Sequence, residues 1–330
     1  MKKCNLVTTV CISGCLALTG ATQVSAEALK PDLQYAVLAS LLAAIPAIKA
    51  SAGTSMDLTV NASYREDNLD WNIAGNGVNV LSELAWNLTI AQLQTAVKFN
   101  MKDDWRIRAE LGYGTIVSGT NQDSDYDGNN RTQEFSRSNN KAGGDVRDAS
   151  IALGKTLRLL DQTVGKFIYI TPYIGLSAHQ QNLTMTNGVQ TIPATGPFAG
   201  LASAYDAQWR GPWIGFDAII ETGRSLSLIV NAEYHLADYS AQANWNLRDD
   251  FAHPVSFKHS AKGRGIVLTG GTSFPIAANW TLKTTFKYQD WVTRAGNDRI
   301  YFSDGSVGST RLNAVNWESM AYNLEIVHQF

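Results

Sequence analysis

From Met320 to Phe330 the chain alternates. Met320, Tyr322, Leu324, Ile326 and His328 take one set of positions, Ala321, Asn323, Glu325, Val327 and Gln329 take the other, and Phe330 comes last. Successive side chains of a strand point to opposite faces, so a period of two builds one apolar and one mostly polar face. Phe330 falls on the apolar face, of which His328 is the weakest member. Strands of soluble proteins ordinarily give way to loosely ordered polar residues at a terminus. A face that stays apolar to its last residue is expected to lie against lipid.

The pattern recurs upstream. Trp105, Ile107, Ala109, Leu111, Tyr113 and Val117 share one face, while Arg106, Arg108, Glu110, Gly112 and Gly114 share the other. Leu226, Leu228, Val230, Ala232, Tyr234 and Leu236 alternate with Ser227, Asn231, Glu233 and His235. Trp280, Leu282, Thr284, Phe286 and Tyr288 alternate with Thr281, Lys283, Thr285, Lys287 and Gln289. A soluble barrel would turn its charges outward. Aromatic faces opposed to charged ones suit a lipid-facing exterior and a polar lumen instead. The alternating terminus with its final Phe330 resembles the assembly signal of bacterial outer-membrane barrels.

The periodicity predicts ten strands, near 57–65, 79–101, 105–118, 145–159, 166–184, 204–221, 225–243, 264–275, 279–293 and 315–330. Short turns are expected at Lys102–Asp104, Leu160–Gly165, Thr222–Arg224 and Ile276–Ala278. Long polar loops are expected at Glu66–Val78, Ser118–Gly144, Thr186–Ser203, Asn244–Gly263 and Arg294–Ala314. This alternation implies an all-β fold: a ten-stranded antiparallel transmembrane β-barrel with periplasmic turns and extracellular loops. The even count places both termini in the periplasm. Trp105, Phe167, Trp280 and Phe330 gather near the short-turn end, as an aromatic girdle would.

Residues 1–26 read as a signal peptide: Lys2 and Lys3, a largely apolar Leu6–Leu18, and small residues Val24-Ser25-Ala26 before Glu27. A rival reading takes Ile12-Ser13-Gly14-Cys15 as a lipoprotein processing box, but the apolar stretch continues past it to a better small-residue site. Residues 27–56 are expected to form an N-terminal extension with a short helix over Tyr35–Ala47, and 57–330 the barrel. All three cysteines lie in the leader, so a chain cleaved after Ala26 carries no thiol chemistry. A net charge of −2 over 330 residues, with pI near 6.2, supplies no basic field for nucleic acid.

The second long loop carries the sharpest motif. Residues 123–134, Asp-Ser-Asp-Tyr-Asp-Gly-Asn-Asn-Arg-Thr-Gln-Glu, match the calcium-loop pattern D-x-D-x-D-G-x5-E at each defined position. Asp123, Asp125 and Asp127 would supply side-chain oxygens, Asn129 its carbonyl, and Glu134 would close the shell around Ca2+. No helices flank the loop, and Asn130 stands where an EF-hand carries an apolar residue. Asp, Asn and Gly are also ordinary turn residues, so a merely solvated loop is the competing account.

With Leu69-Asp70-Trp71 in the first hairpin and Pro212-Trp213-Ile214-Gly215 on the sixth strand, the chain resembles the omptins, ten-stranded outer-membrane endopeptidases. The resemblance implies water held between two aspartates in the second outer loop and an Asp-His pair in the fourth. Asp123 and Asp125 fall at the first pair and Asp249 at the second aspartate, but Phe251 stands at the histidine position. His253 lies two residues on, and His259 and His235 are further imidazoles. The resemblance also implies a peptide or protein substrate and contact with outer-membrane lipid, lipopolysaccharide in particular. Gln180 replaces the family's basic contact on the fifth strand, and Arg210 lies near a second. Calcium and water activation compete for the same carboxylate lone pairs of Asp123 and Asp125. Two functions therefore stand open: an endopeptidase using Asp123, Asp125, Asp249 and His253, and a non-catalytic barrel acting in surface binding or envelope structure. A diffusion porin is disfavoured, because a barrel of this size fills its lumen with side chains.

Overall fold

The structure, a computed structural model, describes residues 54–161, 166–222 and 225–330. The expected leader and the helix near residues 35–47 lie outside the described residues, as do parts of two short turns. The strands are β1 (Ser55–Gly75), β2 (Val78–Asn100), β3 (Trp105–Gly128), β4 (Thr132–Lys155), β5 (Leu157–Asp161), β6 (Lys166–Ile192) and β7 (Gly196–Pro197). They continue as β8 (Ala202–Glu221), β9 (Ser227–Asn244), β10 (Phe257–Ala277), β11 (Trp280–Thr293), β12 (Gly296–Tyr301) and β13 (Val307–Gln329).

Hydrogen bonding runs β1-β2-β3-β4-β6-β8-β9-β10-β11-β13, and β13 returns to β1 in antiparallel register from Asp57↔Gln329 to Ala74↔Arg311. These ten walls close the barrel. β5 continues the β4 wall, and β12 continues the β11 wall between β10 and β13. The expected strand count and antiparallel order hold. The strand lengths do not: β1 and β2 run through the expected loop at Glu66–Val78 and reverse only at Asn76-Gly77, where φ is 50° and 79°. Asn-Gly suits this left-handed pair, because both residues adopt positive φ at low cost. β3 and β4 likewise run through much of 118–144, and strand structure begins at Ser55, inside the expected extension. Through much of 118–144 both faces are polar and no period marks the strands, whereas in β1 the alternation of Leu69, Trp71 and Ile73 continues with its apolar side turned into the bore rather than to lipid.

Outward-facing apolar residues meet in register around the wall: Leu93 beside Tyr113, Ile214 beside Tyr234, and Phe286 beside Tyr322. Trp105, Leu228, Phe286 and Leu324 are exposed, as the alternation predicts, while Glu233, Lys283 and Glu325 line the lumen with Arg108. The wide exposed apolar belt is that of a barrel standing in hydrocarbon.

The lumen is bridged from wall to wall. Asp217 on β8 accepts from Lys98 on β2 at 3.0 Å and from Arg108 on β3 at 3.0 Å, and Arg108 also pairs with Glu233 on β9. Arg65 holds Asp67 at 2.6 Å and Asp148 on β4 at 2.9 Å, and His179 meets Asp148 at 2.7 Å. Toward the long hairpins an aromatic layer takes over. Trp71 on β1 reaches Tyr205 on β8 with ring centres 5.8 Å apart, and those two walls lie diametrically opposite. Trp209, Trp291 and Trp317 fill the rest, with Trp291 and Trp317 stacked at 5.4 Å. Glycines make the room: a Cβ on Gly265 would stand 2.3 Å from Trp291, and one on Gly175 would stand 2.5 Å from Trp213. Within the charged layer a cavity of about 180 Å³ remains, lined by charged and amide side chains.

Two substitutions test this assignment of faces by urea unfolding in lipid vesicles. Leu324→Arg in the middle of the belt should lose ~2–4 kcal/mol, and Trp317→Ala in the aromatic layer ~3–5 kcal/mol. A neutral Leu324→Arg would show that this face does not meet lipid.

Candidate functional site

The aspartates at 123 and 125 are two apart on β3, so their carboxyl groups share the inner face. Asp123 pairs across the sheet with Leu84 and Ser138, and Asp125 with Ser82 and Ser136. The Ser82 and Ser136 side chains hydrogen-bond the Asp125 carboxyl, and the Trp245 indole N–H donates to Asp123. Trp245 is itself fixed by packing on Phe257, with ring centres 4.7 Å apart, and on Trp71 at 6.4 Å. The pair stands some ten residues beyond Tyr113, outside the apolar belt. Burial, and then repulsion from the Asp125 carboxylate, push the Asp123 pKa up to about 8, against the opposing pull of Trp245 and Arg248. Burial raises Asp125 as well. Two adjacent buried carboxyls resist double ionisation, so one retains its proton near neutral pH.

The positive charge acting on them is a guanidinium, which makes no ion pair with either. Arg248, in the connection from β9 to β10, attracts both carboxylates. It donates through Nε and Nη2 to the two oxygens of Asp250, each at 2.9 Å, and lies 4.4 Å over the Phe251 ring. Phe251 also packs on Phe302 at 6.0 Å. Backbone bonds from Ala252 to Tyr301 and from Ser303 to Asp250 fasten this connection to the end of β12. At the position where the omptin resemblance expects an imidazole, Phe251 therefore anchors one loop to another.

The remaining expected residues do not join the aspartate pair. Asp249 is exposed and makes no hydrogen bond or ion pair among the described residues. His253 is exposed, with Nδ1 2.8 Å from Asn244 Oδ1. His259 is buried beneath the mouth. Its Nδ1 lies 2.9 Å from the Tyr205 hydroxyl, its Nε2 3.4 Å from Asp298, and its ring is edge-on to Trp71 at 4.7 Å. His235 belongs to the lumen, 3.0 Å from Glu233 and 3.0 Å from the Ser177 hydroxyl.

The residues expected to gather on calcium do not converge. Glu134 pairs across the hairpin with Tyr126, on the face opposite Asp123 and Asp125, and is held there by Arg137. A register shift between Asp125 and Tyr126 produces that reversal. Asp127 is exposed, and the Asn129 side chain accepts the Asn79 backbone N–H at 2.9 Å. The motif matches a calcium loop in order of residues, but the strand pairing divides its ligands between two faces, so the residues present do not fit the ion. No group of three or more His, Cys, Asp or Glu side chains among the described residues is placed to hold a metal.

Sequence reasoning missed Trp245, Arg248 and the two serines. The cluster Trp245-Asn246-Leu247-Arg248-Asp249-Asp250 was available as a signal, but only the fold shows that Arg248, rather than Asp249, turns toward β3.

Residues 59–330 match the family model described as Protochlamydia outer membrane protein. The fold is similar to that of the outer membrane protease OmpT from Escherichia coli, with a TM-score of 0.70 at 12% identity, covering 86% of this chain and 99% of that one. The translocator domain of the autotransporter NalP from Neisseria meningitidis gives 0.35 at 12% identity, covering 91% and 95%. No match is found among curated proteins. The chain belongs to the Protochlamydia outer membrane protein family and is an outer-membrane β-barrel with an omptin-like fold.

Proposed function

We propose that this protein is a closed, non-catalytic barrel of the outer membrane that acts at the cell surface through its long hairpins. In this reading the long hairpins are extracellular, the short turns and both termini periplasmic, and the belt contacts membrane lipid, lipopolysaccharide included. The observation that carries it is that no imidazole joins Asp123 and Asp125: His253 is held by Asn244 and His259 by Tyr205, while the positive charge acting on the pair is that of Arg248. An omptin-type hydrolysis needs a base within reach of the attacking water, with a pKa near the working pH. Arg248 stays protonated at any such pH and accepts no proton. His253 is engaged by Asn244, and His259 is enclosed by Tyr205 and Trp71. The filled lumen supports the same reading, since ion pairs and indoles link opposite walls.

A second reading rests on the raised Asp123 pKa. A carboxyl pair sharing a proton can hold and deprotonate water without an imidazole, as like-charged neighbours do in aspartic proteases. Cleavage of a dibasic peptide in the presence of lipopolysaccharide separates the readings. The non-catalytic barrel cleaves nothing. Cleavage that falls by about a hundred- to ten-thousand-fold in Asp123→Asn but not in His253→Ala would replace the first reading with the second. A loss confined to His253→Ala would restore the Asp249–His253 mechanism.

Lumen closure is tested by single-channel recording. Wild-type protein in planar bilayers should show no steady conductance, and a stable open channel would refute the closed-barrel reading.

The Asp123 proton also gives stability a pH dependence. An unfolded Asp titrates near 3.9, while the folded group holds its proton up to about 8. Between those values the folded state binds more protons, so stability falls as pH rises from about 4 to about 8 and then levels. Asp123→Asn should flatten that slope in unfolding titrations. An unchanged slope would show that Asp123 ionises normally.

A further inference from the structure

Just past the apolar belt, the outer wall carries unpaired charges of opposite sign in two sectors that adjoin at β11. Arg210 on β8, Arg264 on β10 and Arg294 after β11 are exposed and have no ion-pair partner among the described residues. They rim an outward groove of about 580 Å³ whose floor is Tyr234 and Leu236. Lys262 in the same groove pairs with Asp238. On the other sector, Glu66 of β1, Asp290 of β11 and Glu318 of β13 face outward and make no ion pair among the described residues; Asp290, opposite Ile266, is diagonal to Arg264 but forms no ion pair with it. Glu66 accepts only the Tyr64 hydroxyl at 2.9 Å, and Glu318 takes a hydrogen bond from Tyr288.

The two sectors stand at one height. Glu66 lies two residues beyond Tyr64, Asp290 two beyond Tyr288, and Glu318 two before Met320. On the basic side, Arg264 pairs across the sheet with Leu236, and Arg210 with Asp238, two residues further along β9. Two residues of strand rise about 7 Å, so each charged set begins at the edge of the lipid belt. Barrels confined to one membrane share that level, which places the basic sector of one copy opposite the acidic sector of another.

We infer that copies of this barrel associate side by side in the membrane, the Arg210–Arg264–Arg294 groove of one receiving the Glu66–Asp290–Glu318 ridge of the next. Anionic lipid headgroups would satisfy the arginines alone and be repelled by the ridge. A second copy satisfies both sets. The sectors adjoin at β11 but are centred on different walls, β10 and β13, so one barrel engages two neighbours through a head-to-tail contact that repeats. Exposed ion pairs are screened within about 8 Å at physiological salt, so the association is salt-sensitive.

The test is disulfide trapping of full-length protein in phosphatidylcholine vesicles, with Cys4, Cys11 and Cys15 replaced by serine. Arg264→Cys protein mixed with Glu318→Cys protein should give a cross-linked dimer, and either variant alone should give little. Adding Arg210→Glu and Arg294→Glu to the first partner should abolish the product. Adding Glu66→Arg and Asp290→Arg to the second should restore it, which a variant that merely misfolds cannot do. Equal cross-linking of like variants, no product in the mixture, or indifference to charge reversal would overturn the inference. Loss of the product when lipopolysaccharide is included, with the arginine variants failing to retain that lipid, would assign the groove to lipid phosphate and overturn it as well.

Discussion

Every backbone amide of a strand in hydrocarbon must find its partner on another strand, and only closure supplies partners to the first and last. The pairing of β1 with β13 performs this closure along the length of both strands. It removes the edges on which a flat sheet would aggregate, and it sorts the side chains. Once the wall is a ring, one face of each strand meets lipid and the other meets nine other walls. The apolar belt and the polar lumen are two consequences of that one constraint.

A ring of ten strands is narrow enough for side chains from opposite walls to touch. The lower lumen solves the resulting desolvation problem with paired charges: Asp217 receives both Lys98 and Arg108, and Asp148 receives Arg65 and His179. Such pairs are weak evidence of net stability, but removing one member strands the other in a poorly solvated interior. The upper lumen uses rings instead, with Gly265 yielding the space that Trp291 takes, while lower down Gly175 makes room for Trp213 beside Arg108. Both solutions fill the bore.

At the mouth the likeness of fold does not extend to the side-chain arrangement that the omptin resemblance implies. The barrel is that of a known protease fold, and the aspartate pair stands on the second long hairpin, yet the opposing loop brings a guanidinium to it. Phe251 fixes this outcome by packing on Phe302 and under Arg248, so the loop is tied to β12 in a register that leaves Asp249 in solvent. Similarity of fold at 12% identity carries no activity across such a difference.

The alternation of side chains by itself determined the ten walls, their antiparallel order, the lipid-facing residues Leu228 and Leu324 and the lumen-facing Glu233 and Lys283. A period of two is a local property, readable a few residues at a time. It also placed Asp123 and Asp125 on one face. Tertiary structure decided the rest. Hairpins such as β3–β4 are strands far beyond the belt, where both faces are polar and no period marks them. The register shift between Asp125 and Tyr126 turned Glu134 away from the aspartates and undid the calcium arrangement that the residue order suggested. The meeting of Trp71 with Tyr205, and of Arg248 with the aspartates, depends on closure between segments more than a hundred residues apart. No local pattern encodes which residues a ring brings face to face.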